Sequence, residues 1–355
     1  MAYDPFPRGN LPVGVRTVHW TDPAREDRPL SVEVWYPATE SARGRDVDPA
    51  TADAYDLIPG FPPGRQSAVR DAEAATGRHP LVVFSHGFGS HRRQSTFLCT
   101  HLASHGYVVA AVDHTGNTII DMMQLILGGN TGGAAEARES MRGMIAARPA
   151  DASFVIDRLV DGGIPELAGR VDAERIGISG HSFGGWTTLA TTSRDKRIRA
   201  AMPLAPAGGS SPLPVEALTT ALDFRWGRVV PTLYLVADRD TLLPLAGMHE
   251  LYALTAEPKR MVVLERADHM HFCDEVEQIH ELFRMMPPPG DFARVAQSVP
   301  PISELCPGEH AYLFIRGLGL AHMDAHLKGN EEAAAFLAGD LERELADRGV
   351  AVSVA

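Results

Sequence analysis

Short runs of β-branched and aliphatic residues alternate along the chain with longer stretches of helical periodicity. The apolar runs predict eight strands: Gly14–Trp20, Leu30–Ala38, Pro80–Gly87, Tyr107–His114, Arg175–His181, Ile198–Pro206, Pro231–Asp240 and Lys259–His269. Leu30–Ala38 ("LSVEVWYPA") alternates apolar and polar positions, so it is expected to be half-buried, antiparallel and near an edge. The polar, proline-containing turn before it predicts a hairpin with the first strand. The later strands are nearly continuous apolar runs, the pattern of strands covered on both faces. Between them the 3.6-residue period predicts helices at Arg92–Gly106, Pro149–Gly163, Phe183–Ser193 and Leu243–Leu254, with a C-terminal one at Asn330–Gly349. Pro149 is placed in a first helical turn, and Gly106 just past a helix end. The alternation predicts an α/β fold, an eight-stranded, mainly parallel sheet with helices on both faces.

Three segments break the rhythm. Residues 39–79 and 115–148 read as long loops. Residues 271–308, with "MMPPPG" and "VPPISELCPG", read as an excursion or lid over one face. The 355 residues are taken as a single domain spanning 1–355. A net charge of −12 argues against nucleic acid and anionic membranes as partners. No apolar run reaches the ~20 residues of a membrane span, so integral membrane association is not expected. The N-terminus lacks the pattern of a signal peptide, so a cytoplasmic protein is expected. Cys99, Cys273 and Cys306 are then reduced thiols, a Cys273–Cys306 bridge being the alternative for an exported protein. Oligomeric state is left open.

The candidate chemistry lies in "RIGISGHSFGGW". Gly180-His181-Ser182-Phe183-Gly184 forms G-x-S-x-G between a buried strand and a helical segment. A sharp strand-to-helix turn lifts the serine Oγ above the C-terminal rim of the sheet and aims the helix N-terminus at its target. A serine hydroxyl needs a base, and the base an orienting acid, which follow in the order acid, then histidine. Asp238 and Asp240 end one later strand; Asp268, His269 and His271 end the next. Asp240 is preferred as acid because it lies further out on the loop, Asp238 being a turn residue. His269 is preferred as base, with His271 behind it. The Phe183 N–H and, from the loop "SHGFGSHRR", the Phe88 N–H are the expected oxyanion donors. Their rings, with His181, Ile119, Met122, His271 and Phe272, are expected to line the substrate pocket, and Phe61, Met285 and Met286 to add apolar surface. His101, His105 and His114 read as surface or loop residues. In "HMDAH", His322 and His326 have metal-compatible spacing with Asp324 between, but no further ligand follows, and no metal site is assigned.

"GHSFGG", "VVFSHGFGSHR", "LASHGYVVAAVDH" and "LSVEVWYPA" together resemble the α/β-hydrolase superfamily, and within it the plasma-type platelet-activating-factor acetylhydrolases and bacterial dienelactone-hydrolase-like esterases. The resemblance implies cofactor-free hydrolysis of a small carboxylic ester through an acyl-serine, with Ser182 as nucleophile, His269 as base, and Phe88 and Phe183 as oxyanion donors. The chain departs from the acetylhydrolases in one respect. They carry the acid after the strand that follows the nucleophile helix, where this chain has Ala205 and Pro206 in "MPLAPAGG". The acid moves one strand on, to Asp240, in the D-x-x-x-P setting of bacterial cutinases and polyester hydrolases. It also has serine where true dienelactone hydrolases have cysteine. The expected activity is a carboxylesterase or lipase-like one on an apolar acyl or aryl ester. The alternatives are a phospholipid esterase, a peptidase or amidase, and a non-catalytic binding protein on the same fold.

Overall fold

The computed structural model describes residues 3–57, 62–127, 133–213, 215–287 and 290–355. Phe61 lies outside them. The chain divides into two compact units, Arg8–Gly177 and Met1–Pro7 with Ile178–Ala355.

In the unit Arg8–Gly177, β1 (Val13–Asp22) and β2 (Arg28–Pro37) form the expected antiparallel hairpin, paired from Val13–Pro37 to Asp22–Arg28. A small two-stranded sheet of β3 (Asp53–Tyr55) and β4 (Gly64–Gln66) follows, then β5 (Val69–Arg70), which pairs with β1. β6 (His79–Ser85), α1 (Thr96–Ser104), β7 (Val108–Val112), α2 (Ile119–Leu127) and α3 (Ala134–Val160) complete it. The strands stand in the order β6-β7-β2-β1-β5, with β6 and β7 parallel and buried almost throughout. β8 (Val171–His181) carries the chain into the second unit.

Three expectations are corrected here. β2 is antiparallel and near the edge, with only β1 and the two-residue β5 beyond it, but it is buried throughout Val32–Pro37 rather than half-buried. Its polar residue Glu33 is wholly buried because Arg70, Arg92 and Arg93 meet its carboxylate in place of water. Burial alone would raise Glu33, but the Arg93 and Arg70 charges outweigh it and hold it at about 2. Within 115–148, Ile119–Leu127 and the chain from Ala134 onward are helical rather than irregular, and Pro149 sits inside α3. A mid-helix proline costs about 3 kcal/mol. Buried Ile145, Arg148, Ala152, Val155 and Ile156 on both sides of it keep the helix in place. His101 and His114 are buried rather than on the surface.

The second unit runs through α4 (Phe183–Arg194), β9 (Ile198–Leu204), α5 (Glu216–Thr220), β10 (Thr232–Ala237), α6 (Leu245–Leu254) and β11 (Lys259–Leu264). Then come α7 (Val276–Met285), α8 (Asp291–Ala296), α9 (Gly308–Leu327), α10 (Glu331–Ala338), α11 (Leu341–Ala346) and β12 (Val352–Val354). The strand order is β12-β11-β10-β9-β8, with β9, β10 and β11 parallel and β12 antiparallel at the edge. The described residues thus hold twelve strands rather than eight. The additions are β12 and the very short β3, β4 and β5, whose lengths fall below any periodic signal.

The expected C-terminal helix is two, because the Asp340 carboxylate accepts the Arg343 N–H and starts a new helix at Leu341. The excursion 271–308 contains α7, α8 and a short 3-10 turn at Ile302–Glu304. α9 escaped sequence reading because nearly all its faces are buried, leaving no polar stripe. Its Gly317 is required by packing, since a Cβ there would lie 2.2 Å from the Phe6 ring.

Candidate active site

The chain turns from β8 into α4 at Ser182, which has φ 61° and ψ −117°. That conformation is strained for a residue with a Cβ and is kept only where its surroundings fix it. The Ser182 N–H donates to the Leu204 carbonyl at 2.9 Å, and the Ser182 carbonyl accepts from Ala207 and Trp186, each at 3.0 Å. The close approach of α4 to the end of β9 demands a glycine at 185, where a Cβ would stand 2.8 Å from the Pro206 Cα. The Pro206 Cα and the Leu204 carbonyl oxygen, the latter at 3.0 Å, are both main chain, so neither yields easily. Gly185→Ala is expected to destabilise the protein by about 1–3 kcal/mol in urea unfolding, and an unchanged midpoint would contradict this packing.

Two further strand ends supply the other groups. Past β10, the Asp240 Oδ1 accepts the N–H groups of Leu242 at 2.9 Å and Leu243 at 2.7 Å, which fixes the carboxylate. Its Oδ2 stands 2.7 Å from His269 Nδ1, just past β11. Both side chains are buried. Asp238 instead accepts the Ala267 N–H at 3.1 Å, a turn role. Burial disfavours a charged His269, but the Asp240 carboxylate overcomes it and holds the imidazole above its ordinary value. His181, the residue before Ser182, lies ring to ring 4.5 Å from His269 and hydrogen-bonds the His269 main chain. The elbow and the histidine therefore share one site. The first amide of α4, that of Phe183, lies outside the helix's own i→i−4 ladder.

His181 and Phe272 are enclosed and stacked, with ring centroids 5.4 Å apart and planes at 17°. They back His269 rather than forming an open wall. Burial keeps His181 neutral, well below its ordinary value. The Phe183 ring is likewise buried, 5.4 Å from Trp186. Met285 and Met286 are exposed at the end of α7. Ile119, Met122 and Phe88 belong to the unit Arg8–Gly177: the first two are half-buried on α2, and Phe88 is 40% exposed in the loop after β6. Cys99, Cys273 and Cys306 are free and buried, so the alternative Cys273–Cys306 bridge is not formed. Among the described residues no group of three or more His, Cys, Asp and Glu side chains stands ready to hold a metal ion. Nor is any of their helices long and apolar enough to cross a membrane.

His271 has a different place from the one expected. It is fully buried, with Nδ1 2.8 Å from Asp268 Oδ1 and Nε2 3.0 Å from the Cys306 carbonyl. His280 of α7 meets the other Asp268 oxygen at 2.7 Å and the Pro300 carbonyl at 2.8 Å. Asp268, the residue beside His269, is thus tied to the excursion through His271 and His280. The sequence does not show this, because the partners are 3 to 35 positions apart and nothing in it pairs them. Burial opposes charge on His271, yet Asp268 and the Cys306 carbonyl raise it to about 10. A raised histidine stabilises the fold fully below its unfolded value of about 6.5, and that stability is lost as pH rises to about 10. The wild type is therefore expected to lose melting temperature relative to His271→Gln across this window. Parallel curves for the two proteins would contradict the latch.

Residues 19–126 and 149–274 match the family of platelet-activating factor acetylhydrolase, isoform II. A platelet-activating factor acetylhydrolase of Canis lupus familiaris is 25% identical over 226 residues, covering 56% of this chain and 48% of that protein. A bis(hydroxyethyl) terephthalate hydrolase of Streptomyces coelicolor is 29% identical over 198 residues, 55% of this chain and 51% of the relative. The chain thus matches about half the length of these curated relatives, or less. The solved structure of a ferulic acid esterase from Streptomyces cinnamoneus superposes with a TM-score of 0.62 at 28% identity, covering 91% of this chain and 92% of that one. The family match spans about two thirds of the sequence, and with the α/β-hydrolase architecture of β8, the elbow and α4 it establishes that the chain belongs to the platelet-activating factor acetylhydrolase, isoform II, family.

Proposed function

We propose that the chain is a serine hydrolase of carboxylic esters, with Ser182, His269 and Asp240 as its catalytic triad. The observation that carries this is the buried 2.7 Å pair of Asp240 and His269, packed through His181 against a strained serine elbow. In the reaction, Ser182 Oγ attacks the ester carbonyl as His269 Nε2 takes its proton. The Nδ1–H donates to Asp240, which holds the ring in the required tautomer and stabilises the imidazolium. The Phe183 N–H at the start of α4 receives the developing oxyanion. A second donor, the Phe88 N–H, rests on the sequence pattern alone. His269 then returns the proton to the departing alcohol, and water releases the acid by the reverse path. The excursion 271–308 covers the acyl group.

An apolar acyl or aryl ester is the favoured substrate class. Two relatives are named for aryl substrates, a terephthalate ester hydrolase and a ferulic acid esterase. The position of Asp240 after β10 supports that side of the family. The second reading, a phospholipid esterase, is favoured by the matched family itself. A panel of p-nitrophenyl butyrate, an aryl diester, an oxidised phospholipid and a p-nitroanilide separates these. Turnover of the first two is expected. Preference for the phospholipid or the anilide would replace the substrate assignment, and inertness towards all four would favour a binding protein.

A further inference from the structure

Beneath the loop that follows β6 lies a buried polar cluster that the reaction above does not use. All of it belongs to the unit Arg8–Gly177. Asp151 Oδ2 stands 2.9 Å from His114 Nδ1, and His114 Nε2 stands 2.9 Å from Ser85 Oγ. The order repeats that of an acid, base and nucleophile. Ser85 has no exposed surface, however, so no ester reaches its Oγ. Burial also holds His114 neutral at about 4. It therefore donates through Nδ1 to the carboxylate and accepts the Ser85 hydroxyl proton at Nε2.

Main chain is what this cluster holds. The guanidinium of Arg148, wholly buried, donates through one nitrogen to the His86 carbonyl at 2.7 Å and through another to the Gly87 carbonyl at 3.1 Å. Asn117 Oδ1 accepts from Arg148 at 2.6 Å and 3.2 Å and sets the plane of the fork. The His114 N–H donates to His86 Nε2 at 3.1 Å, so the His86 proton sits on Nδ1 and donates to the Gly87 carbonyl at 2.7 Å. The Gly87 N–H goes to Gln94 Oε1 at 2.7 Å. Withdrawing a guanidinium from water is costly, and burial lowers Arg148 to about 9. These donors serve two consecutive carbonyls of a single loop.

We propose that Arg148 is a positioning residue for oxyanion stabilisation, locking the Gly87–Phe88 peptide so that the Phe88 N–H points away from the cluster. A trans peptide sets its N–H opposite its C=O, so fixing the Gly87 oxygen on Arg148 fixes the direction of the next N–H. A flipped peptide would turn an N–H towards a guanidinium and lose a charge-assisted bond. The fork matters: a lysine keeps the charge but presents a point donor, poorly suited to bridging two carbonyls. This inference rests on the reading of Ser182 as nucleophile and Phe88 as oxyanion donor.

The test uses Arg148→Lys, Arg148→Gln and Asn117→Ala, with turnover of p-nitrophenyl butyrate and affinity for a matched pair of inhibitors. A trifluoromethyl ketone forms a charged tetrahedral adduct on the nucleophile; the parent methyl ketone binds as a neutral ketone. The Arg148 variants are expected to lose kcat by about 10²–10³-fold, with KM within about threefold. Affinity for the trifluoromethyl ketone should fall by the same factor as kcat/KM, and that for the methyl ketone should hold. Asn117→Ala should show a smaller loss of the same signature and serves if the Arg148 variants do not fold. A folded variant with wild-type kcat, or equal losses for both ketones, would overturn the proposal. Ser182 labelling by a fluorophosphonate in the wild type is measured alongside. An unlabelled Ser182 sinks the functional reading itself, whereas a labelled Ser182 with unaffected Arg148 and Asn117 variants sinks this inference alone.

Discussion

Ser182→Ala is expected to lower kcat for p-nitrophenyl butyrate by about 10⁶-fold while the protein remains folded. The substitution removes only Oγ. The Cβ, which bears the strain at φ 61°, is still present, and the three main-chain bonds around residue 182 do not involve the side chain. The melting temperature should therefore stay near wild type, and turnover should collapse because the group assigned to attack the carbonyl is gone. Activity within about tenfold of wild type would mean that a different group attacks the ester.

Asp240→Asn is expected to cost about 10⁴-fold in kcat. The amide oxygen can still accept the Leu242 and Leu243 N–H groups that the Asp240 Oδ1 accepts. The amide NH2 then faces His269 Nδ1 and donates to it. That pushes the ring proton to Nε2, the nitrogen that must accept from Ser182. The same change has a signed pH effect. His269 is raised because the Asp240 charge outweighs burial, and an imidazole works as a base only when neutral, so the wild-type rate falls as pH drops through that raised value. With the Asp240 charge gone, only the weaker Asp268 charge still opposes burial, and the residual activity should extend to lower pH. An acid limb in the same place, or higher, in Asp240→Asn would contradict the assignment of Asp240 as the partner of His269. The rate profile of kcat/KM from pH 4 to 9 reads this directly.

The parts of the molecule legible in the sequence are those whose physics is local. β8, the elbow at Ser182 and α4 occupy consecutive positions, and the conflict between a strand, small residues and a helix can be seen in twelve letters. Asp240 and His269 were found because strand ends are marked by the loss of the apolar run, and parallel strands present those ends on one rim. What the sequence obscured is set by tertiary partners. Glu33 is polar in the pattern and buried in the fold because three arginines from elsewhere in the chain come to it. α3 runs through Pro149 because packing outweighs one lost hydrogen bond. His271 and Phe272, placed in the pocket by their nearness to His269 in the chain, are turned inward by Asp268 and His181. Arg148 carried no signal, since His86, Gly87 and Asn117 lie 31 to 62 positions away from it.

Ser182 is the proposed nucleophile. Incubation of the protein with a fluorophosphonate, followed by proteolysis and mass mapping, tests this most directly. One adduct per chain on the peptide holding Ser182, absent in Ser182→Ala and slowed in Asp240→Asn, is the predicted result. No adduct, or an adduct on another residue such as Ser85, would contradict it.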